Sequence, residues 1–216
     1  MEGEGPVAVR AGSARPSAYV FDFDGTLASV PVDWDGVKKD LREVLGSREE
    51  LPSVFPTIVR LMKDDPSIRD RAFALIDQYE ERALPKASLF PGSFDLLELI
   101  SRNSKISLVT MQGSRAIDSL LSRFELSLFV LHRFTREEST SRAEQVEMAL
   151  SAMGVKKDDS LFVADRLHDL NVAREIGIPF AMVRTHGSDP VEEDVTVFHS
   201  VEELLDAVRA RERPNP

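Results

Sequence analysis

Two periods alternate along this chain, and their order predicts its architecture. Tyr19, Val20 and Phe21 open a short run of β-formers that ends in Asp22-Phe23-Asp24-Gly25. Apolar runs at residues 105–110, 128–131, 160–165 and 179–183 read as further strands, with 196–198 as a last one. Stripes at helical spacing separate them: Phe94 to Ile100, Ile117 to Phe124, Ser141 to Met153, Leu170 to Ile176 and Val201 to Ala210. Short apolar strands alternating with helices predict an α/β fold whose parallel sheet is covered on both faces.

One region breaks the alternation. Trp34, Val37, Leu41, Val44 and Leu45 recur at helical spacing up to Gly46, and Val54, Phe55, Ile58, Val59 and Met62 repeat the pattern. Asp65-Pro66 reads as a cap for a third helix carrying Ile68, Phe73, Ile76 and Tyr79. A strandless stretch of roughly 50 residues is too long for an ordinary loop and needs packing of its own. Residues 31–85 are therefore expected to form a small all-helical insertion, with 18–30 and 86–216 as the α/β core. Residues 1–17, rich in Gly, Ser, Pro and Arg, read as a flexible tail with no secretory pattern.

Composition narrows the function classes. With 27 Lys and Arg against 37 Asp and Glu, the net charge is −10, which argues against a nucleic-acid groove. Cysteine is absent, so there is no disulfide, thiolate metal site or cysteine nucleophile, as suits a cytoplasmic protein. Four histidines argue against a multi-histidine zinc site, and no apolar run approaches the roughly 20 residues that span a membrane.

The candidate chemistry sits where strands end. Asp22 and Asp24 are two apart, so in an extended chain they share one face. Two carboxylates so close repel unless a cation or proton lies between them. Alone, the stretch also reads as a strand running into an Asp-Gly turn. Thr110 and Asp165 close two later strands, and Asp169 follows four residues on. Ligands of open parallel sheets bind beyond such strand ends. Carboxylate oxygens with open positions suit a hard cation such as magnesium, which keeps several waters and binds phosphate.

Taken in order, Phe21-Asp22-Phe23-Asp24-Gly25-Thr26-Leu27, Leu108-Val109-Thr110 and Val163-Ala164-Asp165-Arg166-Leu167-His168-Asp169 resemble the haloacid dehalogenase-like (HAD) hydrolase superfamily. The insertion looks like the small cap of its phosphoglycolate phosphatase-like members. The resemblance implies a Rossmann-like three-layer core and a magnesium-dependent phosphatase acting on a small phosphorylated metabolite. It makes Asp22 the nucleophile and Asp24 the acid and base. Asp22, the Asp24 carbonyl and Asp165 would hold Mg²⁺, with Asp169 as a further candidate, either through water or by orienting the basic residue. Thr110 would bond the phosphoryl group, and Gln112 and Gly113 would line the substrate site. The third-motif cation would be Arg142, which opens an Arg-Ala-x-x-Val helix, with Arg136 as the alternative. Ala164 stands where glycine is usual, and Met111 where asparagine is frequent.

The sequence also admits other readings. The same residues serve a phosphotransferase or phosphomutase, and the fold alone serves a non-catalytic phosphate-binding protein. Oligomeric state is not readable. Asp169 can equally cap a helix from Leu170. His168 reads as an exposed loop residue; His132 and His186 have no spaced partner. Trp34 and Phe73 fall in helical stripes and read as core of the insertion. Lys38, Lys39, Arg60, Lys63 and Arg69 supply cations there. Gly113-Ser114 at a helix start could offer N–H groups to a phosphate.

Overall fold

A computed structural model describes residues 15–46, 51, 53–62, 65, 67–185 and 195–212. Most of the expected tail, Lys63, Pro66 and His186 lie outside the described residues. The chain runs β1 (Ala18–Asp22), β2 (Ala28–Ser29), α1 (Trp34–Leu45), α2 (Val54–Met62), α3 (Ser67–Ala83), β3 (Ser88–Leu89) and α4 (Ser93–Ser101). It continues through β4 (Lys105–Val109), α5 (Ser114–Arg123), β5 (His132–Phe134), α6 (Arg142–Met153), β6 (Ser160–Ala164) and α7 (Leu167–Ile176). It closes with β7 (Phe180–Val183), β8 (Thr196–Phe198) and α8 (Val201–Glu212).

Six strands form one parallel sheet in the order β5-β4-β1-β6-β7-β8. β1 lies between β4 and β6, with Asp22 opposite Val109 and Phe21 opposite Val163. The strand order turns back at β1, so the crevice beyond its carboxyl end is the switch point where ligands bind in such sheets. Alternation along β1 divides the core. Tyr19 and Phe21 pack with Leu96, Leu97, Leu120 and Leu204 from α4, α5 and α8. Ala18 and Val20 pack with Val146, Leu150 and Ala173 from α6 and α7. Asp22 has the parity of Val20 and is thereby aimed at the α6 and α7 side. The α/β, three-layer expectation is met.

The three helices between β2 and β3 bury Val37, Leu41, Ile58, Phe73 and Ile76 in a cluster continuous with the Tyr19–Phe21 face. Asp33 caps α1, its carboxylate accepting from Gly36 N–H at 2.9 Å. Trp34 meets Phe55 edge to face at 6.0 Å. β2 and β3 pair antiparallel for two residues each and form the stem of the insertion. A stem of two-residue strands is too short to show a period in the sequence.

Three boundaries differ from expectation. The apolar run 128–131 is not a strand: Leu126–Leu128 makes a 3₁₀ turn, and the sheet pairs with His132 to Phe134 instead. Phe129 and Val130 pack on the core as part of a turn while Leu128 and Leu131 are exposed, an arrangement that imitates a strand in sequence. Helix α7 begins at Leu167, so Asp169 lies inside its first turn and does not cap it, and His168 is an exposed helical residue, not a loop one. Pro16 and Ser17, expected in the tail, are tied down: Ser17 N–H bonds the Asp159 carbonyl and Ser104 Oγ the Pro16 carbonyl.

Candidate active site

Asp22 ends β1 almost fully buried. Its Oδ2 accepts from Thr26 Oγ at 3.2 Å, and its Oδ1 from Arg142 Nη2 at 2.9 Å. Arg142, the first residue of α6, also reaches α7, its Nε lying 3.0 Å from Asp169 Oδ1. Neither of those two atoms has an aligned hydrogen-bond partner, so that contact is coulombic. One planar guanidinium therefore spans carboxylates from two elements, a geometry that a lysine point charge would not reproduce.

The turn after β1 depends on Gly25. Its φ is +90°, and a Cβ there would lie 2.4 Å from Asp165 Oδ2. Thr185, beyond β7, donates to the Gly25 carbonyl and fixes the turn from the other side. Half-buried Asp24 follows the strand, with Oδ1 accepting Val30 N–H at 2.8 Å. That bond ties Asp24 to the stem of the helical insertion.

Thr110 lies one residue past β4 and is buried. Its N–H bonds the Phe134 carbonyl, and its Oγ accepts Gln112 N–H at 3.2 Å. The hydroxyl proton is thus left to donate elsewhere. Gln145, fully buried on α6, donates to the Thr110 carbonyl at 2.9 Å and accepts from Arg142 Nη1 at 3.1 Å. It links the threonine to the arginine. The Gln112 carboxamide is buried with neither its oxygen nor its nitrogen hydrogen-bonded.

Burial pushes the Asp22 carboxyl up to about 8, against the pull of Arg142, and Asp169, Asp165 and Asp24 push it the same way. Burial also raises Asp165, with Arg166 pulling it down. Asp165 Oδ1 is buried without a hydrogen-bond partner. Carboxylates pushed up by burial and by each other, one with an orphaned oxygen, are short of positive charge. That donor set fits a hard divalent cation. Among the described residues no three acidic or histidine side chains form a ready-made cage. A magnesium ion that keeps several waters does not require one.

Of the candidate residues, the structure brings Asp22, Arg142 and Asp169 into direct contact and places Thr110 one residue away through Gln145. Arg136 is not at Asp22: its guanidinium is buried against Glu80 and Asp77 of α3. Gly113 corrects an expectation. Its N–H is spent on Glu80 Oε2 at 3.0 Å, and the next N–H, of Ser114, on Glu137 Oε2 at 3.1 Å. In this conformation carboxylates take the α5 N-terminus that a phosphate would need. Among the cations of the insertion, Arg69 donates to the Glu137 carbonyl, Lys38 faces Asp35, and Lys39 and Arg60 are exposed.

Thr26, Gln145, Glu80 and Asp77 were not anticipated. Glu80 alone left a trace, because it falls at helical spacing on the stripe of Phe73, Ile76 and Ala83. A carboxylate on an apolar stripe demands a buried partner.

The family model for haloacid dehalogenase-like hydrolases matches residues 19–183. A haloacid dehalogenase-like hydrolase domain-containing protein of Arabidopsis thaliana is 30% identical over 119 residues, 52% of this chain and 47% of that protein. The chain thus spans about half the length of that relative. The N-acetylmuramic acid 6-phosphate phosphatase of Pseudomonas aeruginosa is 26% identical over 220 residues, covering 90% of this chain and 95% of its own. The crystal structure of a hydrolase from Pseudomonas syringae superposes with a TM-score of 0.71 at 19% identity, over 90% of this chain and 98% of that one. Among the described residues no helix is long and apolar enough to cross a membrane.

Proposed function

The chain belongs to the haloacid dehalogenase-like hydrolase family, and from that premise we propose that it is a magnesium-dependent phosphatase hydrolysing a small-molecule phosphate monoester through an aspartyl phosphate on Asp22. One observation carries the reading. Asp22 is buried at the end of the central strand, is gripped by Arg142, and is still short of positive charge. A structural carboxylate would be neutralised by its protein partners. A carboxylate that waits for a cation and a phosphoryl group would not.

The chain's own groups divide the work. Asp22 Oδ attacks phosphorus, the bond to the leaving oxygen breaks, and Asp24 gives that oxygen its proton. Asp24, now a carboxylate, takes a proton from water, whose oxygen attacks the same phosphorus. Inorganic phosphate leaves and Asp22 is restored. Thr110 donates its free proton to a phosphoryl oxygen, and Arg142 holds Asp22 in line and balances charge. Gln112 offers one donor and one acceptor to the leaving group. Asp22, Asp165 and the Asp24 carbonyl would hold Mg²⁺, which would supply Lewis-acid stabilisation of the phosphoryl oxygens. Asp169 acts by orienting Arg142.

The test is phosphate release from a panel of monoesters with and without magnesium. Magnesium-dependent release from at least one supports the reading. Transfer of the phosphoryl group to an added alcohol without release would mark a phosphotransferase. Binding without either would mark a non-catalytic protein.

The cation site makes a separate prediction with a thermal readout. Magnesium at a hundredfold excess over its dissociation constant should raise the melting temperature by roughly 5–10 °C, the linkage expected for a ligand of the native state in a chain this size. Asp165→Asn should melt normally without metal and lose most of that shift. An undiminished shift would remove Asp165 from the metal site.

A further inference from the structure

Arg136 is the largest fully buried side chain of the described residues, and it takes no part in the groups around Asp22. Its guanidinium is spent on one seam. Nη1 donates to Glu80 Oε1 at 2.6 Å and to the Met111 carbonyl at 2.9 Å. Nη2 donates to Glu80 Oε2 at 3.1 Å and to Asp77. The ring of Phe73 stacks at 5.3 Å. Glu80 in turn accepts Gly113 N–H. Asp77, Glu80 and Phe73 all belong to α3 of the insertion, while Met111 and Gly113 belong to the loop that follows Thr110.

A cluster like this is not needed to dock a helix. Burying charges costs desolvation that close pairing only partly returns, and an apolar stripe would hold α3 as well. What the cluster adds is geometry. It matches one backbone carbonyl and one backbone N–H on the two sides of Gln112, each with a charged partner. The Met111 carbonyl that Arg136 holds belongs to the same planar peptide as the Gln112 N–H, which bonds Thr110 Oγ. That bond takes one lone pair of the Thr110 hydroxyl and so narrows where its proton can point. A chain of contacts thus runs from α3 through Arg136 and Glu80 to the hydroxyl.

We propose that Arg136 and Glu80 are positioning residues that set the Thr110 hydroxyl, so that the phosphoryl-binding donor is aligned only while α3 is docked. This rests on the phosphatase reading and deepens it. The insertion does more than cover the site; its third helix completes one of the core's reacting groups. Undocking α3 takes Glu80 from Gly113, strips Arg136 of the carboxylates and ring that hold its guanidinium on Met111, frees the loop and misdirects Thr110. Closure over a substrate and competence for phosphoryl transfer become one event.

The experiment is a double-mutant cycle on an aryl phosphate with magnesium, using the full chain. The clamp is removed by Arg136→Met with Glu80→Gln, which leaves no unpaired charge at Glu80. It is removed once with Thr110 present and once with Thr110→Val. With Thr110 present, kcat should fall about 10–100-fold, as when a hydrogen-bond donor to the transferring group is misplaced, with KM changed by less than about threefold. In the Thr110→Val background the same change should cost less than about twofold, because coupled groups are not additive. Equal losses in both backgrounds, or no loss in a folded clamp variant, overturn the proposal. Should the double change prevent folding, Glu80→Gln alone is run through the same cycle, with a loss of roughly 3–10-fold expected and the same dependence on Thr110. Where the aryl phosphate is not turned over, the same cycle is run on a monoester that is; a wild type inert on the whole monoester panel would instead overturn the phosphatase reading itself.

Discussion

Asp22→Asn is expected to reduce magnesium-dependent phosphate release by on the order of 10⁴-fold or more, the scale seen when a covalent nucleophile is removed. The substitution keeps the shape. An amide oxygen can still accept from Arg142, and its nitrogen can still meet Thr26. What disappears is the nucleophilic carboxylate. The protein should not unfold, because Asp22 is a group that burial and three neighbouring carboxylates already push up. Replacing it by a neutral isostere relieves that repulsion, so the melting temperature measured without metal should stay level or rise. Loss of activity at gained stability is the signature of a functional residue that the fold tolerates at a cost. Acid-quenched wild type incubated with substrate should carry a phosphoryl adduct visible by mass, and the variant should carry none. Turnover near wild type would dismiss Asp22 as nucleophile.

The parts of this fold legible in the sequence are those whose signal is local. β1 reads from its β-formers, and the face on which Asp22 lies follows from its parity with Val20. Thr110 and Asp165 read as acids and hydroxyls at the ends of apolar runs. Arg142, favoured for opening the helix that became α6, does reach Asp22. Where the alternative, Arg136, goes was not legible, because its partners Asp77 and Glu80 lie more than 50 residues away along the chain. The strand expected at residues 128–131 failed for a related reason. Apolar side chains fasten a turn as readily as a strand, and only pairing with β4 tells the two apart.

The seam between the insertion and the core was illegible in a different way. Glu80 lies 33 residues before Gly113 and 56 before Arg136. No spacing rule connects residues that far apart, and each has an ordinary reading alone: a solvated helix acid and a loop base. The clue was Glu80 on the buried stripe of α3, an inconsistency between side-chain type and position. Burial raises the Glu80 carboxyl, and the hydrogen bonds and charge of Arg136 oppose that rise. A site that violates local rules at one point and satisfies them through a distant partner is where function was hidden from the chain's order.

Asp24→Asn should separate the two halves of the reaction. Asp24 is held half-buried by Val30 N–H, which fixes one oxygen and keeps the carboxyl beside the stem of the insertion. As a proton donor it matters most where the leaving group is a poor one. An alkyl phosphate, whose alkoxide needs a proton to depart, should lose about 10²–10⁴-fold in turnover, the usual worth of general acid–base catalysis. An aryl phosphate leaves as a stable phenolate and needs no such help in the first step. Its second step still requires Asp24, since the water that cleaves the aspartyl phosphate must lose a proton. The variant should therefore release one equivalent of phenol per protein in a burst and then stall, with the adduct accumulating on Asp22. Pre-steady-state absorbance and intact mass together check this. Equal losses on alkyl and aryl substrates, without a burst, would show that Asp24 serves neither step as a proton carrier and acts only through the shape of the turn at Gly25.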